Sequence, residues 1–570
     1  MKVLLVAVNA KYIHSNLGIY YLKEYAKTYK NHIHLAEYTI NHRAEDILKG
    51  IYKTQADVVA FSCYIWNIEL ITEVVKELKK VMPKVKIWFG GPEVSYNAKE
   101  CLQAIDELDV ITIGEGEQTF LELMECFVDN KINISQIKGI AYKAGDDIVL
   151  TEDREPLALD VIPFPYDDME RFRNKIIYYE SSRGCPFSCS YCLSSIDKRV
   201  RLRSTELVKK ELQTFLDNEV AQVKFVDRTF NCNKNHGMEI WKFIKEHDNG
   251  ITNFHFEISA DILDDEEIGI LNSLRPGQIQ LEIGVQSTNI KTIEAIHRKM
   301  DLKKLRANVN KIGEGHNIHQ HLDLIAGLPY EDYSSFINSF NEVYSLKPDQ
   351  LQLGFLKVLK GSYMETDSTN HGIIYQDRAP YEVLKTDLLS YDELLKLKGL
   401  CDMVEVYYNS GQFTYSMEFL NHYYKAPGDL YLSLSKYYEV NELDQIGHSR
   451  IRRYEILLDF VKENVSKGNK DLLDVFEEVL TLDMYIREKM KSRPTFAPEA
   501  LEYNRIREVL SKYNVERRNG HVEKFNFDVI NARLTGKIVK RERLIVFDYS
   551  RRDPLNKGAN LIEVAEVLSD

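Results

Sequence analysis

The first 150 residues alternate between short apolar runs and amphipathic segments. The segment Ile68–Val81 has apolar residues at helical spacing, whereas the runs around it are short and uniformly apolar, which predicts buried strands. Alternation of strand and helix predicts a doubly wound parallel sheet of the Rossmann-like class, which binds ligands at the carboxyl ends of its strands. The predicted strands are Val3–Val8, Val58–Ser62, Val85–Gly90 and Val110–Gly114.

A second block of strand and helix alternation covers residues 173–375. It is separated from the first block by residues 151–172, where the stretch EPLALDVIPFPYDD holds three prolines and predicts a linker. Six strand–helix repeats in the second block predict a partial (β/α)6 barrel that is open on one side. The six predicted strands are Ile176–Glu180, Gln222–Asp227, Asn253–Ser259, Ile279–Gly284, His319–Ala326 and Gln350–Leu356.

The last block, residues 376–570, has a different pattern. Helical periodicity dominates as far as Tyr513, and two β-like stretches, FNFDVINA and KIVKRERLIVFDY, follow it. We therefore expect an α/β domain over 1–150, the linker, an α/β barrel over 173–375, and a mainly helical C-terminal domain over 376–570. The C-terminal domain, with its strands near the end, is a candidate substrate-binding region.

Composition supports a globular interpretation of these blocks. The 570 residues are 44% hydrophobic and 28% charged, which excludes collagen-like, low-complexity and largely disordered chains. No run reaches the roughly 18 apolar residues of a membrane span. The N-terminus MKVLLVAVNAKY lacks the long apolar region of a signal peptide. We expect a cytoplasmic, monomeric protein with no membrane contact.

Charge is unevenly distributed along the chain. The net charge of −13 argues against non-specific binding of polyanions by the whole molecule. Between Arg487 and Lys557, however, 18 lysines and arginines stand against 10 acidic residues, and aromatic residues such as Phe547 and Tyr549 lie among them. Basic residues suit phosphates and aromatic rings suit unstacked bases, so this region is a candidate tRNA contact. A solvated charged hairpin is the alternative.

Three of the eight cysteines lie within eight residues. Cys185, Cys189 and Cys192 form a C-x3-C-x2-C motif directly after the first predicted barrel strand. Thiolate sulfur favours zinc or iron–sulfur centres, and structural zinc sites use four ligands, usually in two separated pairs. Three closely spaced cysteines instead suit a [4Fe–4S] cluster with one iron left open. Buried free thiols, or a zinc site completed by a distant histidine, are the alternatives.

The motif and its position resemble the signature of the radical S-adenosylmethionine (SAM) superfamily. By that resemblance, Cys185, Cys189 and Cys192 hold the cluster, the open iron chelates the amino and carboxylate groups of SAM, and Tyr191 lies against the adenine. The resemblance further implies that one electron, delivered by a partner such as flavodoxin or ferredoxin, cleaves SAM to a 5′-deoxyadenosyl radical.

Polar residues near the ends of the later barrel strands extend the resemblance. Glu257 lies on the third strand, Gln286 after the fourth, Arg298 on the next helix and Asp323 on the fifth strand. In radical SAM enzymes similar to the oxygen-independent coproporphyrinogen oxidases, residues of these types at matching places hold SAM through its hydroxyls, ammonium and carboxylate. The alternative for each is a structural hydrogen bond at the barrel rim. The role of Asp227 is left open, and no catalytic residue is identified.

The N-terminal sheet ahead of this barrel resembles a cobalamin-binding module. Glycines in its strand-end loops would let the backbone approach a flat corrin, and N–H groups at helix starts would hold the phosphate of the nucleotide tail. The D-x-H-x-x-G motif that supplies a cobalt ligand is absent, and His14 has the wrong spacing, so we expect no histidine on cobalt. The residues implied in cobalamin binding are Asn9, Ser62, Tyr64, Gly90, Gly91, Pro92, Glu93, Gly114, Glu115, Gly116 and Glu117.

A rival resemblance is to the methylthiotransferases, which also place an α/β domain before a radical SAM barrel. Their first domain binds a second iron–sulfur cluster through three cysteines. The N-terminal domain here has Cys63, Cys101 and Cys126, but Cys101 and Cys126 fall in predicted helices, where apolar burial accounts for them. Methylthiotransferase-like tRNA modification is therefore kept as an alternative. It would need a second cluster, but two of the three cysteines do not lie on the strand-end loops where a cluster would form.

The cobalamin resemblance implies methyl transfer. The adenosyl radical would remove hydrogen from an unactivated carbon of the substrate, and the substrate radical would take a methyl group from methylcobalamin. The expected substrate is a modified tRNA nucleoside. One alternative is methylation or rearrangement of a small metabolite or lipid precursor, and another is a non-catalytic sensor that binds cobalamin and SAM.

Overall fold

The N-terminal part of the chain is one seven-stranded sheet with helices on both faces. A computed structural model describes residues 1–166 and 168–564. The strands of this sheet are β1 Val3–Asn9, β2 Ile33–Thr39, β3 Val58–Ser62, β4 Lys86–Gly90, β5 Val110–Thr112, β6 Ile140–Ala144 and β7 Asp147–Leu150. Their order is β2-β1-β3-β4-β5-β6-β7. Strands β1 to β5 are parallel, and β6 and β7 form an antiparallel hairpin at the edge.

Neighbouring residues of β1 face two different cores, as a sheet covered on both faces requires. The helices are α1 Leu17–Tyr25, α2 Ala44–Thr54, α3 Ile68–Val81, α4 Pro92–Ser95, α5 Ala98–Ala104 and α6 Glu117–Phe127. Val3 and Leu5 pack into the core that α1 and α6 cover, whereas Leu4 and Val6 pack against α2, α3 and α5. The continuous apolar pattern of β1 therefore reflects burial on both sides.

The predicted linker is a packed connector. Leu159, Ile162, Tyr166 and Phe172 are all buried. The Tyr166 ring lies 5.0 Å from the ring of Phe172 and contacts rings of both the N-terminal domain and the barrel. The segment therefore fastens the two domains to each other as well as joining them.

The second sheet is an open parallel barrel of six strands. Its strands and the short ribbon beside them are β8 Ile177–Tyr179, β9 Ser182–Arg183, β10 Arg201–Leu202, β11 Gln222–Phe225, β12 Asn253–Ile258, β13 Ile279–Gln286, β14 His319–Ala326 and β15 Gln350–Phe355. The barrel order is β15-β14-β13-β12-β11-β8, and β9 pairs with β10 as a separate ribbon. Sequential order with parallel pairing throughout confirms the predicted partial barrel.

Strand alternation divides the barrel into an apolar outer face and a polar interior, which we call the lumen. On β12, Phe254 and Phe256 pack outward into the core, whereas His255 and Glu257 face the lumen with charged partners. The helices that cover the outer face are α7 Thr205–Asp217, α8 Lys234–Glu246, α9 Asp265–Leu271, α10 Ile290–Ala295, α11 Leu302–Glu314 and α12 Tyr333–Ser345.

The C-terminal region is helical and ends in a three-stranded antiparallel sheet. Its helices are α13 Tyr363–Asp367, α14 Tyr391–Val404, α15 Thr414–Asn421, α16 Pro427–Val440, α17 Arg450–Phe460, α18 Lys470–Arg487, α19 Tyr503–Lys512 and α20 Val529–Thr535. Its strands are β16 Ile374–Tyr375, β17 Val383–Lys385, β18 Gly520–Phe527, β19 Lys540–Arg552 and β20 Ala559–Glu563. Strands β18, β19 and β20 pair in that order. The prediction of a β-like stretch FNFDVINA is wrong in its second half, because β18 ends at Phe527 and α20 begins at Val529.

Most element ends agree with the sequence pattern. Helix α3 and strand β14 begin and end at the predicted residues. Strand β2 was not predicted because only its two end residues are buried, so it lacks the apolar run of a central strand. Among the described residues, no helix combines the length and apolar character needed to span a membrane.

Candidate functional site

A glycine shapes the start of the cysteine loop. Gly184 has φ of +97°, and a Cβ there would lie 2.2 Å from the Arg199 carbonyl oxygen, so this position excludes other residues. Asp227, whose role the sequence left open, holds the same turn: its carboxylate accepts hydrogen bonds from the Ser181 amide at 3.0 Å and the Ser182 hydroxyl at 2.6 Å. Burial raises the pKa of Asp227 to about 6, against the effect of these hydrogen bonds.

The three cysteines lie on one compact loop after the barrel's first strand. Cys185 and Cys189 are buried and Cys192 is half-buried. The Ser195 hydroxyl donates to the carbonyls of Cys189 at 2.9 Å and Cys192 at 2.6 Å, which closes the loop. Burial raises the pKa of the Cys185 thiol, and the two other cysteines add to the effect, as expected for three sulfurs that share one space.

This donor set fits an iron–sulfur cluster. Among the described residues, the donor atoms close enough to share a single ion, within 4.8 Å of one another, belong to Glu282, His321 and Asp323 and not to the cysteines. Three thiolates spread around a shared space suit separate irons of a cluster with a fourth iron open. Cys232, which sequence reasoning did not single out, also lies near Cys185, and burial raises its pKa to about 11.

Tyr191, Gln286 and Arg298 meet beside the cysteine loop. Arg298 Nη1 lies 3.4 Å from the Tyr191 hydroxyl and 3.7 Å from Cys189 Sγ, and Nη2 donates to the Gly284 carbonyl at 2.5 Å. The side chain of Gln286 turns back over Gly284, where a Cβ would lie 2.3 Å from Gln286 Nε2. These three predicted SAM residues are therefore brought together at the carboxyl end of β13.

Two polar atoms at this edge have no protein partner. Gln286 Oε1 and Arg298 Nε are buried and take part in no hydrogen bond with the described residues. Gln286 also has φ of +71°, in the left-handed region that non-glycine residues seldom adopt. Unsatisfied buried polar groups and an unusual backbone conformation both suit a bound polar ligand, so the site fits SAM.

The two other predicted SAM residues face the lumen. Burial raises the pKa of Glu257 to about 7, with Arg228 opposing and Glu282 and Asp323 adding to the effect. Asp323 Oδ1 lies 3.0 Å from His321 Nε2. Glu257 and Asp323 therefore sit in a shared group of charged side chains, and their contact with SAM stays a prediction.

The predicted cobalamin edge contains one glycine that faces open space. Gly114 has φ of +73°, and no described atom lies within 4 Å of where its Cβ would stand. Gly90 and Gly91 have a different explanation from the predicted one. A Cβ at Gly90 would lie 2.3 Å from Thr112 Oγ1, and one at Gly91 2.5 Å from the Cys63 carbonyl oxygen. Close contacts within the domain therefore account for these two glycines, and their approach to a corrin stays a prediction.

Polar residues at the other strand ends mainly stabilise their own loops. Asn9 Nδ2 donates to the His14 carbonyl at 3.2 Å. Asn67 accepts from the Tyr64 amide at 2.8 Å and donates to the Ser62 carbonyl at 3.0 Å. His14 Nδ1 lies 2.7 Å from the Tyr178 hydroxyl, so this nitrogen already has a hydrogen-bond partner in the barrel.

An aromatic pair stands at the same edge of the sheet. The rings of Tyr64 and Trp66 are stacked, with centroids 4.2 Å apart and an angle of 9° between their planes. Trp66 is 46% exposed. A flat, partly exposed aromatic surface at the carboxyl end of β3 suits an extended planar ligand such as a corrin. Sequence reasoning missed Trp66, although its place after β3 was available as a signal.

The predicted cobalamin-binding acids instead join the N-terminal domain to the barrel. Arg183 contacts Glu117 at 2.8 Å and Glu115 at 3.1 Å, and Arg201 pairs with Glu115 as well. We call these four residues the interdomain clamp. Burial opposes the charge of Arg183, yet neighbouring acids including Glu117 raise its pKa.

The acidic loop residues that were predicted to bind cobalamin already have partners within the protein. The carboxylates of Glu115 and Glu117 are occupied by arginines. Glu93 binds the Tyr381 hydroxyl and lies 3.8 Å from Lys360 Nζ, which links the N-terminal sheet to the segment after the barrel. Pro92 begins α4 and Gly116 caps α6. The backbone of these loops remains available to a cofactor, and a role for the acidic side chains in cobalamin binding stays a prediction.

The cysteines of the N-terminal domain do not form a second cluster site. Cys63 is buried in the core that α2, α3 and α5 cover, and Cys101 packs against the same core. Cys126 packs against the core on the opposite face of the sheet. The sheet therefore separates Cys126 from Cys63 and Cys101, so the three sulfurs do not share one site.

Phe547, Tyr549 and Arg543 of the basic C-terminal stretch are engaged within the protein. Phe547 is buried, and the Tyr549 hydroxyl donates to the Tyr485 carbonyl at 2.6 Å. Arg543 pairs with Asp528 at 2.7 Å and also with Glu563. These side chains are not free to stack on bases or bind phosphates, and tRNA binding stays a prediction.

Comparison with known protein families agrees with this arrangement. Residues 3–124 match the B12 binding domain, residues 179–343 the radical SAM superfamily, and residues 369–547 a region described as a protein of unknown function, DUF4080. The first two matches confirm the predicted order of a cobalamin-binding domain and a radical SAM domain, and with it the set of cobalamin, a [4Fe–4S] cluster and SAM.

Individual relatives are distant. The cobalamin-dependent radical SAM methyltransferase TokK of Streptomyces tokunonensis is 27% identical over 51% of this chain and 45% of its own length. The 2-(S-pantetheinyl)-carbapenam-3-carboxylate methyltransferase of Streptantibioticus cattleyicolor is 25% identical over 73% of this chain and 66% of its own. This chain therefore covers less than two thirds of either relative.

A solved structure shares the fold. The cobalamin-dependent S-adenosylmethionine radical enzyme OxsB, with aqua-cobalamin bound, aligns with a TM-score of 0.59 and 15% identity, over 85% of this chain and 79% of its own. At this identity the likeness concerns the fold alone. The domain matches show that the chain combines a B12 binding domain, a radical SAM domain and a C-terminal DUF4080 region.

Proposed function

We propose that the protein is a cobalamin-dependent radical SAM methyltransferase. The observation that carries the proposal is the interdomain clamp, because Arg183 lies two residues before Cys185 and also holds the loop that contains Gly114. The cluster loop and the open edge of the N-terminal sheet are thereby fixed against each other. A substrate bound between them would reach both cofactors.

The chain's residues would bind and orient the cofactors. When bound, the reduced cluster and SAM supply radical chemistry and cobalamin supplies a methyl group. Cys185, Cys189 and Cys192 would hold the cluster, with the Arg298 guanidinium offsetting thiolate charge. Gln286 and Arg298 would use their unpartnered atoms to bind SAM. An electron donor such as flavodoxin or ferredoxin would act as partner.

A small metabolite or lipid precursor is the substrate class that the observations favour. One relative is named as a methyltransferase of a carbapenam carboxylate, which is a small metabolite. Among the side chains that suggested a tRNA substrate, Arg543 and Tyr549 have internal partners, whereas Tyr503, Arg541 and Arg551 are exposed. Methylation of a tRNA nucleoside is the alternative, and the experiment described next can detect it.

Isotope transfer from SAM tests the proposal. Anaerobically reconstituted protein would be incubated with cell extract, cobalamin, a reductant and SAM that carries a deuterated methyl group. We expect small molecules or lipids that carry the label, together with 5′-deoxyadenosine. Both products should disappear in the triple Cys→Ser variant at Cys185, Cys189 and Cys192.

The outcomes separate the alternatives. Label in digested tRNA would overturn the proposed substrate class but not the reaction. 5′-Deoxyadenosine without any labelled product would point to a radical reaction other than methyl transfer. Formation of neither product, in a sample with full cluster content, would favour a sensor that binds both cofactors without turnover.

A further inference from the structure

The barrel lumen holds a second group of potential metal ligands, separate from the cysteine loop. Glu282 on β13 and His321 and Asp323 on β14 each present one donor atom, and these atoms lie within 4.8 Å of one another. Strand register explains the grouping. Glu282 pairs with His321 across the two strands, and Asp323 lies two residues beyond His321, so all three side chains point into the lumen.

Two of these donors are buried and unsatisfied. His321 is 6% exposed, and its Nε2 lies 3.0 Å from Asp323 Oδ1. Despite this short distance, neither atom makes a well-directed hydrogen bond with any described residue. Two donors that are close together but poorly aimed at each other can both be satisfied by one ion between them.

The charge of the lumen favours a cation. Glu257 faces the same space, so three carboxylates converge there, opposite the two basic side chains of Lys224 and Arg228. Lys224 Nζ and His255 Nε2 both approach Glu282 at its Oε2, each at 3.0 Å. Because both partners use the same oxygen, Oε1 can act as a metal ligand.

We propose that Glu282, His321 and Asp323 bind one divalent transition-metal ion in the barrel lumen. An imidazole nitrogen with two carboxylate oxygens is a ligand set that ions such as Zn²⁺ and Mn²⁺ accept. The ion would satisfy the unpartnered atoms and offset carboxylate charge that is costly to bury. Asp323 would then be a metal ligand and not a SAM contact. This inference does not depend on methyl transfer.

Metal analysis of the full-length protein tests the site. Protein with an intact cluster would be incubated with Mn²⁺ or, separately, with Zn²⁺, then desalted and analysed for bound metal. We expect one ion per chain for at least one of the two metals. In Glu282→Gln and His321→Gln, affinity should fall at least as much as the roughly 10- to 100-fold seen when an outer-shell partner is removed.

Two further variants keep the test independent of misfolding. Glu331→Gln alters another buried barrel glutamate, whose Oε1 accepts from Ser287 at 2.6 Å, and should bind metal like the parent. Lys224→Gln removes a competing cation and should bind at least as tightly. The proposal is overturned if the parent binds neither metal, if Glu282→Gln binds like the parent, or if Lys224→Gln loses binding.

Measurements on the same samples separate this proposal from the proposed function. Iron content and 5′-deoxyadenosine formation report on the cluster and SAM, whereas bound Mn²⁺ or Zn²⁺ reports on the lumen. Full SAM cleavage with no bound ion would remove the metal site alone. A bound ion with no SAM cleavage would remove the proposed function alone.

Discussion

The two edges that face the cofactors are built in different ways. At the barrel edge, Gln286 and Arg298 keep buried polar atoms without a protein partner. At the edge of the N-terminal sheet, the carboxylates of Glu93, Glu115 and Glu117 all bind residues outside this domain. The barrel edge is therefore prepared to bind a polar ligand through side chains. The sheet edge offers backbone, open space at Gly114 and an aromatic surface, while its charged side chains set the position of the domain.

The interdomain clamp should produce the largest effect because it joins the two edges. Arg183→Gln leaves Glu115 and Glu117 with one fewer buried partner, and loss of one member of a buried ion pair costs about 3–5 kcal/mol. We expect lower thermal stability and methyl transfer reduced by at least about 10-fold, a change worth ~1.4 kcal/mol. Formation of 5′-deoxyadenosine should fall less, because the cluster ligands remain.

The matched control for the clamp is Arg199→Gln. Arg199 is 65% exposed in its side chain and pairs with Asp197 and Glu155 on the surface, where such pairs contribute about 0–1 kcal/mol. Stability from thermal unfolding and product ratios from mass spectrometry should match the parent protein. Equal loss of cleavage and methyl transfer in Arg183→Gln would contradict a positioning role.

The barrel edge can be weakened without touching the clamp. Arg298→Gln removes a guanidinium that bonds to the Gly284 carbonyl and lies near Cys189. Hydrogen bonds to charged groups contribute about 1.5–3 kcal/mol, so SAM affinity should fall by roughly 10- to 100-fold. Equilibrium binding of SAM at constant cluster content measures the effect. Unchanged SAM affinity would show that Arg298 serves only the loop.

The sheet edge can be altered through its open glycine. Gly114→Val places a β-branched residue at φ of +73° and fills the space beside the strand end. Cobalamin affinity should fall by about 10-fold or more, whereas SAM binding should not change. Gly145→Val is the matched control, since Gly145 has φ of +67° and open space as well but lies in the β6–β7 turn. Equal cobalamin affinity in both variants would contradict a cofactor role for Gly114.

Replacement of Cys232 tests the cluster assignment, because we expect it to leave the cluster unchanged. It lies near Cys185 but outside the C-x3-C-x2-C motif. Cys232→Ser should keep the iron content and the rate of 5′-deoxyadenosine formation of the parent, since three ligands already complete the protein's share of the cluster. A loss of iron would show that Cys232 is a fourth ligand, which would close the iron that SAM needs.

Local patterns predicted the fold and the cysteine loop well. The ends of β14 and α3 were predicted because their hydrophobic periodicity is strong, and Cys185, Cys189 and Cys192 are neighbours in sequence. Long-range pairing could not be predicted. The partners Arg183 and Glu117 are 66 residues apart, so a single sequence offers no signal that joins them.

The glycine-rich loops show a different limit. Gly90 and Gly91 were predicted to let the backbone approach a corrin, and a side chain at these positions would also collide with Thr112 and Cys63. A glycine in the sequence can indicate that a side chain would not fit, but it does not show which atoms occupy the space. Asp323 is a similar case. The family resemblance implied that it contacts SAM, and the structure places His321 beside its carboxylate.

One hydrophobic core runs through all three regions. Leu5 of β1, Phe256 of the barrel and Phe547 of the last sheet belong to the same buried cluster. Cutting the chain between its sequence-defined modules would expose apolar surface on each piece, because the cuts would pass through shared packing. Chimaeras that exchange one module between proteins of this kind would therefore need redesigned packing between the modules. A well-chosen junction in the chain would not by itself restore the lost contacts.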